Sequence, residues 1–339
     1  MAGKPKKAEW DSAGASLADI LKKASPHGYA PSDIGCWIST GVDLFDWTLG
    51  GRGFPCGRVH EAYGPESSGK TTLALQCART TQAAGGEVVY IDTDGLDLGL
   101  ARKLGVDTDR MFRTSPFWLE EVHDLIEKVV VNRERATTPT LIVVDCIAMC
   151  LAREYVENPV DKSVAPAQEA RLNARFFGRP WNDRLRSSNI CLLLLNQPRD
   201  KIGVMFGDKE TTPGGRVLRH ACCIRLKLTK GAKIQSFYTD DIVGHRVIVE
   251  IVKNKTTGRN LTVELSAYLD RGIDNVMSSF GYVCDEMKDS TGRITYANKQ
   301  WFRPQFYKWL MENPAEIELF REYARKVWMG EGVVASIGQ

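Results

Sequence analysis

The sequence has nine cysteines, at positions 36, 56, 77, 146, 150, 191, 222, 223 and 284, but no C-x-x-C pair and only five histidines. Zinc modules and disulfide scaffolds rest on close, patterned cysteines, so both are excluded. Several of these thiols, Cys146, Cys191 and Cys223 among them, sit in or beside apolar runs, where cysteine behaves as a small hydrophobe. Reduced, structural cysteine suits a cytoplasmic protein. Long hydrophobic runs are missing too. The longest, Ile190–Leu195, stops at Asn196, far short of the roughly 18 residues a membrane span needs. The first ten residues are Lys-rich and polar, unlike a signal peptide. A soluble protein with no membrane partner is therefore expected. No repeat or low-complexity tract occurs, and the net charge of +3 is too small to announce a nucleic-acid partner by its sum.

Hydrophobic residues make up 43% of the 339, enough for an ordinary core. Residues 1–35 read as a basic tail and one helix. Leu17, Ile20, Leu21 and Ala24 fall at helical spacing, Ser16 and Asp19 form a capping box, and Pro26, Gly28 and Pro31 end it. The apolar face of this helix packs either on its own core or on a neighbouring subunit. Residues 36–269 alternate strand and helix patterns, the signature of an α/β domain. Strands are expected at Arg58–Tyr63, Glu87–Asp92, Thr140–Asp145, Ile190–Gln197, Cys223–Thr229, Arg246–Val252 and Leu261–Leu265. The continuous apolar runs 141–144 and 191–195 fit central parallel strands covered on both faces. Residues 270–339 change character. Trp301, Phe302, Phe306, Tyr307, Trp309 and Leu310 form an aromatic, helix-like stretch, and a final helix ends near Trp328, predicting a small C-terminal α+β domain.

Gly64-Pro65-Glu66-Ser67-Ser68-Gly69-Lys70-Thr71-Thr72 matches the phosphate-binding pattern G-x-x-x-x-G-K-[ST]. Glycines let the backbone wrap around phosphates so that its N–H groups point inward at a helix N-terminus. The Lys70 ammonium neutralises β- and γ-phosphate charge, and the Thr71 hydroxyl is a ligand for Mg²⁺. The context agrees: an apolar strand precedes the loop, and a helix over Thr71–Ala84 follows, stopped by Gly85-Gly86. ATP and Mg²⁺ are the expected cofactors. Asp145 closes an apolar strand where a second carboxylate for the metal is expected. Asp94, just after the strand ending at Asp92, is either the group that orients the attacking water or a solvated turn residue before Gly95. The strand that carries it is expected beside the phosphate-loop strand.

Beyond this loop, Ile38-Ser39-Thr40-Gly41, Gly50-Gly51-Arg52-Gly53, Tyr63 to Leu73, Ala101-Arg102-Lys103-Leu104-Gly105-Val106-Asp107, Asn196-Gln197 through Gly214-Gly215, and Val252-Lys253-Asn254-Lys255 resemble the bacterial and phage RecA-type homologous recombinases. A weaker likeness continues at Trp309 to Pro314, so the resemblance covers nearly the whole chain. Its most specific part is Lys201-Ile202-Gly203-Val204-Met205-Phe206-Gly207 with Glu210-Thr211-Thr212, which generic ATPases of this fold lack.

The resemblance implies a P-loop ATPase core with a mostly parallel sheet flanked by helices. It also implies a DNA-dependent ATPase that forms helical filaments on single-stranded DNA and pairs it with homologous duplex. Gln197 would sense the γ-phosphate at the root of a second DNA-binding loop, about residues 197–215. There Arg199 and Lys201 supply charge, Ile202, Val204, Met205 and Phe206 wedge between bases, Gly203, Gly214 and Gly215 allow close backbone approach, and Arg216 is a further DNA contact. A first DNA-binding loop lies at about 157–170, followed by Arg171, Arg175 and Arg179 on a basic helix. Lys253 and Lys255, with Arg219, would reach the nucleotide of an adjacent protomer, and the N-terminal helix would pack on a neighbour. Asp97 and Leu100 fall in the nucleotide-base region. The implied partners are single-stranded DNA, homologous duplex and further copies of the chain. Single-strand binding protein, loader proteins and a repressor are further candidates.

The sequence departs from the family at three positions. Asp94 stands where Glu is usual, Leu100 replaces an aromatic residue against adenine, and His220 replaces a Phe that relays between interfaces. Asp94 is shorter by one methylene, about 1.5 Å, a misplacement that can cost on the order of 10²-fold in rate. Slow ATP turnover is therefore expected. The main rival reading is a ring-forming helicase or repair motor on the same core, which has no need of the 203–215 segment; a second is a non-catalytic filament scaffold that promotes a repressor's self-cleavage.

Overall fold

The computed structural model describes residues 34–133, 136–157, 168–200, 210–236 and 240–330. The N-terminal helix expected over residues 16–24, most of the first loop and the Lys201–Phe206 segment lie outside the described residues.

Along the chain, β1 (Trp37–Ile38) pairs with β2 (Phe54–Pro55) around α1 (Asp43–Leu49). Then come β3 (Arg58–Tyr63), α2 (Lys70–Ala83), β4 (Glu87–Asp92), α3 (Leu98–Lys103), β5 (Met111–Thr114), α4 (Leu119–Arg133) and β6 (Thr140–Asp145). They are followed by α5 (Arg153–Glu157), α6 (Gln168–Phe176), α7 (Arg179–Arg186), β7 (Ile190–Asn196), β8 (Arg199–Asp200), β9 (Glu210–Thr211) and α8 (Gly215–Ala221). The chain continues through β10 (Ile224–Gln235), β11 (Ile242–Asn254), β12 (Thr262–Tyr268), β13 (Gly272–Asp274) and α9 (Asn275–Met287). A hairpin, β14 (Arg293–Tyr296) with β15 (Lys299–Phe302), precedes α10 (Arg303–Glu312) and α11 (Glu316–Met329).

Among the described residues the main sheet has nine strands in the order β13-β12-β11-β10-β3-β7-β6-β4-β5. From β10 to β5 every pairing is parallel, and β11, β12 and β13 add on antiparallel. The expectation that β4 lies beside β3 is wrong: β7 and β6 separate them. Later strands can insert into a parallel sheet by crossover connections, and nothing local in β3 or β4 records which neighbour arrives.

β6 and β7 are buried at every position because helices cover both faces. Their side chains alternate between two apolar clusters. Leu141, Val143, Leu193 and Leu195 face Leu73, Leu75 and Ala78 of α2, while Ile142, Val144, Leu192 and Leu194 face Val122 and Ile126 of α4 with Phe177 and Trp181. Truncating one such leucine to alanine costs about 2–5 kcal/mol. A third cluster gathers Phe280, Tyr296, Phe306, Leu310, Phe320 and Tyr323 from the C-terminal elements. There the helix-like reading of residues 301–310 needs correction, since Trp301 and Phe302 belong to β15 and the helix begins at Arg303. Alternation within a four-residue aromatic strand is too short to separate from helical spacing.

Candidate nucleotide and DNA site

The parallel strands β3, β4, β6 and β7 all point their carboxyl ends at one edge of the sheet, where open α/β sheets bind ligands. The phosphate loop leaves β3 there and enters α2. Gly64 is crossed so closely that a Cβ would sit 2.1 Å from the Leu228 carbonyl oxygen. Gly69 caps the helix at φ +95°, a left-handed conformation that glycine adopts without strain. Pro65, Glu66 and Ser67 are exposed at the rim, and Ser68 is buried beneath them. Thr72 is half-buried on the first turn of α2.

Lys70 is 7% exposed, and its Nζ donates to the carbonyls of Gly64 at 2.9 Å and Pro65 at 2.7 Å. The ammonium is thus held on the loop itself, where a phosphate would compete for it. Burial lowers its pKa below the usual lysine value, and Asp145, Asp94 and Glu66 draw it part of the way back.

Thr71 Oγ1 donates to Asp145 Oδ2 at 2.9 Å, so the two groups assigned to the metal are already in contact. Asp145 is 5% exposed. Burial raises its pKa above the ordinary carboxylate value against the opposing hydrogen bonds from Tyr90 and Thr71. A hydroxyl and a carboxylate are hard oxygen donors that suit Mg²⁺, and the buried carboxylate oxygen is one a cation would stabilise.

Asp92 and Asp145 are register partners on β4 and β6, so Asp94 emerges two residues beyond the level of Asp145. Asp94 is exposed, while the loop that carries it is tightly held. Asp92 accepts N–H bonds from Gly95 at 2.8 Å and Leu96 at 2.9 Å, and Arg113 grips its Oδ2 at 2.6 and 3.0 Å. Burial opposes ionisation of Asp92, but these donors outweigh it and hold its pKa below the usual range. Thr93 adds a clamp to β6, its N–H donating to the Asp145 carbonyl at 2.7 Å and its hydroxyl to that of Cys146 at 2.9 Å.

The Asp97 carboxylate caps α3, accepting from the Gly99 N–H at 2.7 Å, and Leu100 packs half-buried on the first apolar cluster. Gln197 follows directly on the last residue of β7 and is half-buried. Lys253 Nζ donates to the carbonyls of Arg219 at 2.6 Å and His220 at 3.2 Å, and Lys255 Nζ to that of His220 at 2.9 Å. Both ammonium groups therefore sit on the C-terminal end of α8, where cations complement the helix dipole.

Arg171 and Arg175 are exposed on α6, and Arg175 shares a cleft with Glu120, Asp124 and Glu127 of α4. The Arg179 side chain lies outside the described residues. Arg199 is exposed and donates to the Ala148 carbonyl at 3.2 Å. Gly214 and Gly215 have φ of +101° and +80° and lead into α8, on which Arg216 is exposed. Sequence reasoning missed Tyr90, Asp92 and Arg113. Asp92 ends an apolar strand just as Asp145 does, and that signal was legible; Tyr90 and Arg113 carry none.

Comparison with known proteins shows the following likenesses. The family model described as the RecA N-terminal domain matches residues 31–274. The chain is 38% identical to Protein RecA of Geobacter sulfurreducens over 237 residues, 70% of this chain and 68% of the relative. It is 37% identical to Protein RecA of Borrelia hermsii over 242 residues, 71% of this chain and 66% of the relative. Against Protein RecA of Mesoplasma florum it is 33% identical over 278 residues, 78% and 81% of the two chains. The first two matches thus span about two thirds of the relatives' length.

Proposed function

The chain belongs to the RecA family, and from that membership we propose that it is an ATP-dependent recombinase acting in DNA recombination and repair. It assembles as a helical filament on single-stranded DNA and pairs that strand with homologous duplex. The observation that carries the reading is the contact between Thr71 and Asp145 at the mouth of a glycine-cornered phosphate loop.

Residues 64–72 hold the phosphates of ATP, with Lys70 exchanging its loop carbonyls for phosphate oxygens. Thr71 and Asp145 hold Mg²⁺, which when bound screens the charge of the β- and γ-phosphates. Asp94 orients the attacking water from a loop held by Asp92 and Arg113. Gln197 reports the γ-phosphate to the segment 197–215, whose charged and apolar side chains contact the DNA backbone and bases. Lys253 and Lys255 act on the nucleotide of an adjacent protomer. We assign residues 36–269 to the ATPase core and 270–339 to a small C-terminal domain, a division supported by the third apolar cluster, whose buried residues other than Tyr268 lie beyond 269.

Strand exchange between circular single-stranded DNA and homologous linear duplex tests the reading, with ATP or a non-hydrolysable analogue and with Lys70→Ala alongside. Joint molecules are expected from the unsubstituted chain with either nucleotide and none from Lys70→Ala. DNA binding and ATP hydrolysis without joint molecules would move the assignment to a DNA motor.

A further inference from the structure

Glu61 lies on β3, three residues before Gly64, and its side chain is fully buried. Its two carboxylate oxygens are used in different directions. Oε1 accepts from Asn196 Nδ2 at 2.8 Å, and Oε2 accepts from Arg225 Nε at 2.5 Å. The sheet dictates this arrangement: β7 and β10 flank β3 on either side, and Glu61 is the register partner of Arg225.

Each donor continues to one end of the segment that joins β7 to α8. Asn196 ends β7, its Oδ1 accepts from the Gln197 N–H at 3.0 Å, and its Nδ2 also donates to the Pro213 carbonyl at 3.0 Å. Arg225 Nη2 donates to Thr212 Oγ1 at 3.2 Å, with the guanidinium 5.1 Å from the centre of the Tyr63 ring. Thr212 is itself buried. One carboxylate on the phosphate-loop strand therefore holds both ends, Asn196-Gln197 and Thr212-Pro213, at once.

We propose that Glu61 is a positioning residue that couples the nucleotide site to the DNA-binding segment. By holding both ends against the strand that leads into the phosphate loop, it makes the DNA affinity of that segment depend on the nucleotide bound. This rests on the proposed ATP- and DNA-binding function. Stability alone is a poor account of the arrangement, because a buried ion pair adds little over well-packed apolar residues of the same volume. Glutamine at this position keeps an acceptor for Asn196 but removes the charge opposite Arg225.

The test uses the full chain and a fluorescent oligothymidylate, with affinity measured in ADP and in a non-hydrolysable ATP analogue. The ratio of the two affinities reads the coupling. Thr212→Val is expected to lower that ratio severalfold and Glu61→Gln tenfold or more. A fluorescent nucleotide should still bind within about twofold of the unsubstituted chain. Thr212→Ser, which keeps the hydroxyl, is expected to retain the full ratio. Should Glu61→Gln fail to fold, the contrast between the Val and Ser variants decides. An unchanged ratio in Thr212→Val, or an equal loss in Thr212→Ser, overturns the proposal while leaving the function intact. No nucleotide-dependent DNA binding by the unsubstituted chain would overturn both.

Discussion

The hydroxyl of Tyr90 donates to Asp145 Oδ2 at 2.6 Å, the same oxygen that accepts from Thr71 at 2.9 Å. Tyr90 is fully buried on β4 and reaches the end of β6 from the neighbouring strand. Were Thr71 to turn to a metal, as proposed, Tyr90 would be left to hold the carboxylate in place. A hydrogen bond to a charged group contributes about 1.5–3 kcal/mol. Tyr90→Phe should therefore weaken Mg²⁺-dependent nucleotide binding by roughly tenfold or more. Burial already raises the Asp145 pKa, and removing a donor raises it further, so protons compete with the metal more strongly as pH falls. Titrating a fluorescent ATP analogue against Mg²⁺ at two pH values checks this. Equal Mg²⁺ requirements in both proteins would exclude the role.

Asp94 sits on a braced loop but carries the shorter carboxylate. If Asp94 orients the attacking water as proposed, Asp94→Glu should raise the rate of phosphate release on single-stranded DNA by about tenfold or more, because reach would limit such a group. Asp94→Asn should abolish it. A rate unchanged by the glutamate would overturn the expectation that the shorter side chain slows turnover.

The brace can be cut separately. Arg113→Ala strips Asp92, which is 2% exposed, of its guanidinium partner and leaves only backbone donors. A loss of about 1–3 kcal/mol is expected in urea unfolding at neutral pH. The folded pKa of Asp92 is depressed, so its stabilisation is present above the unfolded value of about 4 and is lost as pH falls through the folded one. The gap between the two proteins should narrow toward pH 3. A gap that persists unchanged in acid would assign the loss to packing instead.

Two histidines work in the same sense over a higher pH window. Burial lowers His60 and His123 to about 4, with His60 Nε2–H donating to the Pro55 carbonyl at 2.9 Å and His123 stacked on Phe176 at 4.2 Å. Between about pH 6.5 and 4 the unfolded chain binds protons that the folded chain refuses. Stability should fall over that window by up to about 3 kcal/mol for each histidine. His60→Gln should flatten the slope of unfolding free energy against pH. An unaltered slope would place the lost protons elsewhere.

The phosphate loop, its flanking strand and helix, and strands β3, β4 and β6 to their terminal residues are legible in the sequence, as is Asp145. All are written locally, in glycine positions and in apolar runs that end in a polar residue. Strand β5 is not legible, because Met111-Phe112-Arg113-Thr114 at the sheet edge buries only Met111 and so has no apolar pattern. The pair β10 and β11 also runs further than its apolar stretch, through the exposed Lys230 and Lys233, where backbone pairing alone extends the hairpin.

Sequence alone therefore determined the family, the α/β class and the identity of the nucleotide-contacting loop, since each depends on residues close together in the chain. Tertiary structure alone decided that β7 and β6 stand between β3 and β4. It also decided that Tyr90 reaches Asp145, that Arg113 holds Asp92, and that Glu61 joins Asn196 to Arg225. These partners are 21 to 164 residues apart. What selects them is the order in which strands enter the sheet and the need of each buried polar group for a partner, and neither leaves a mark in local periodicity.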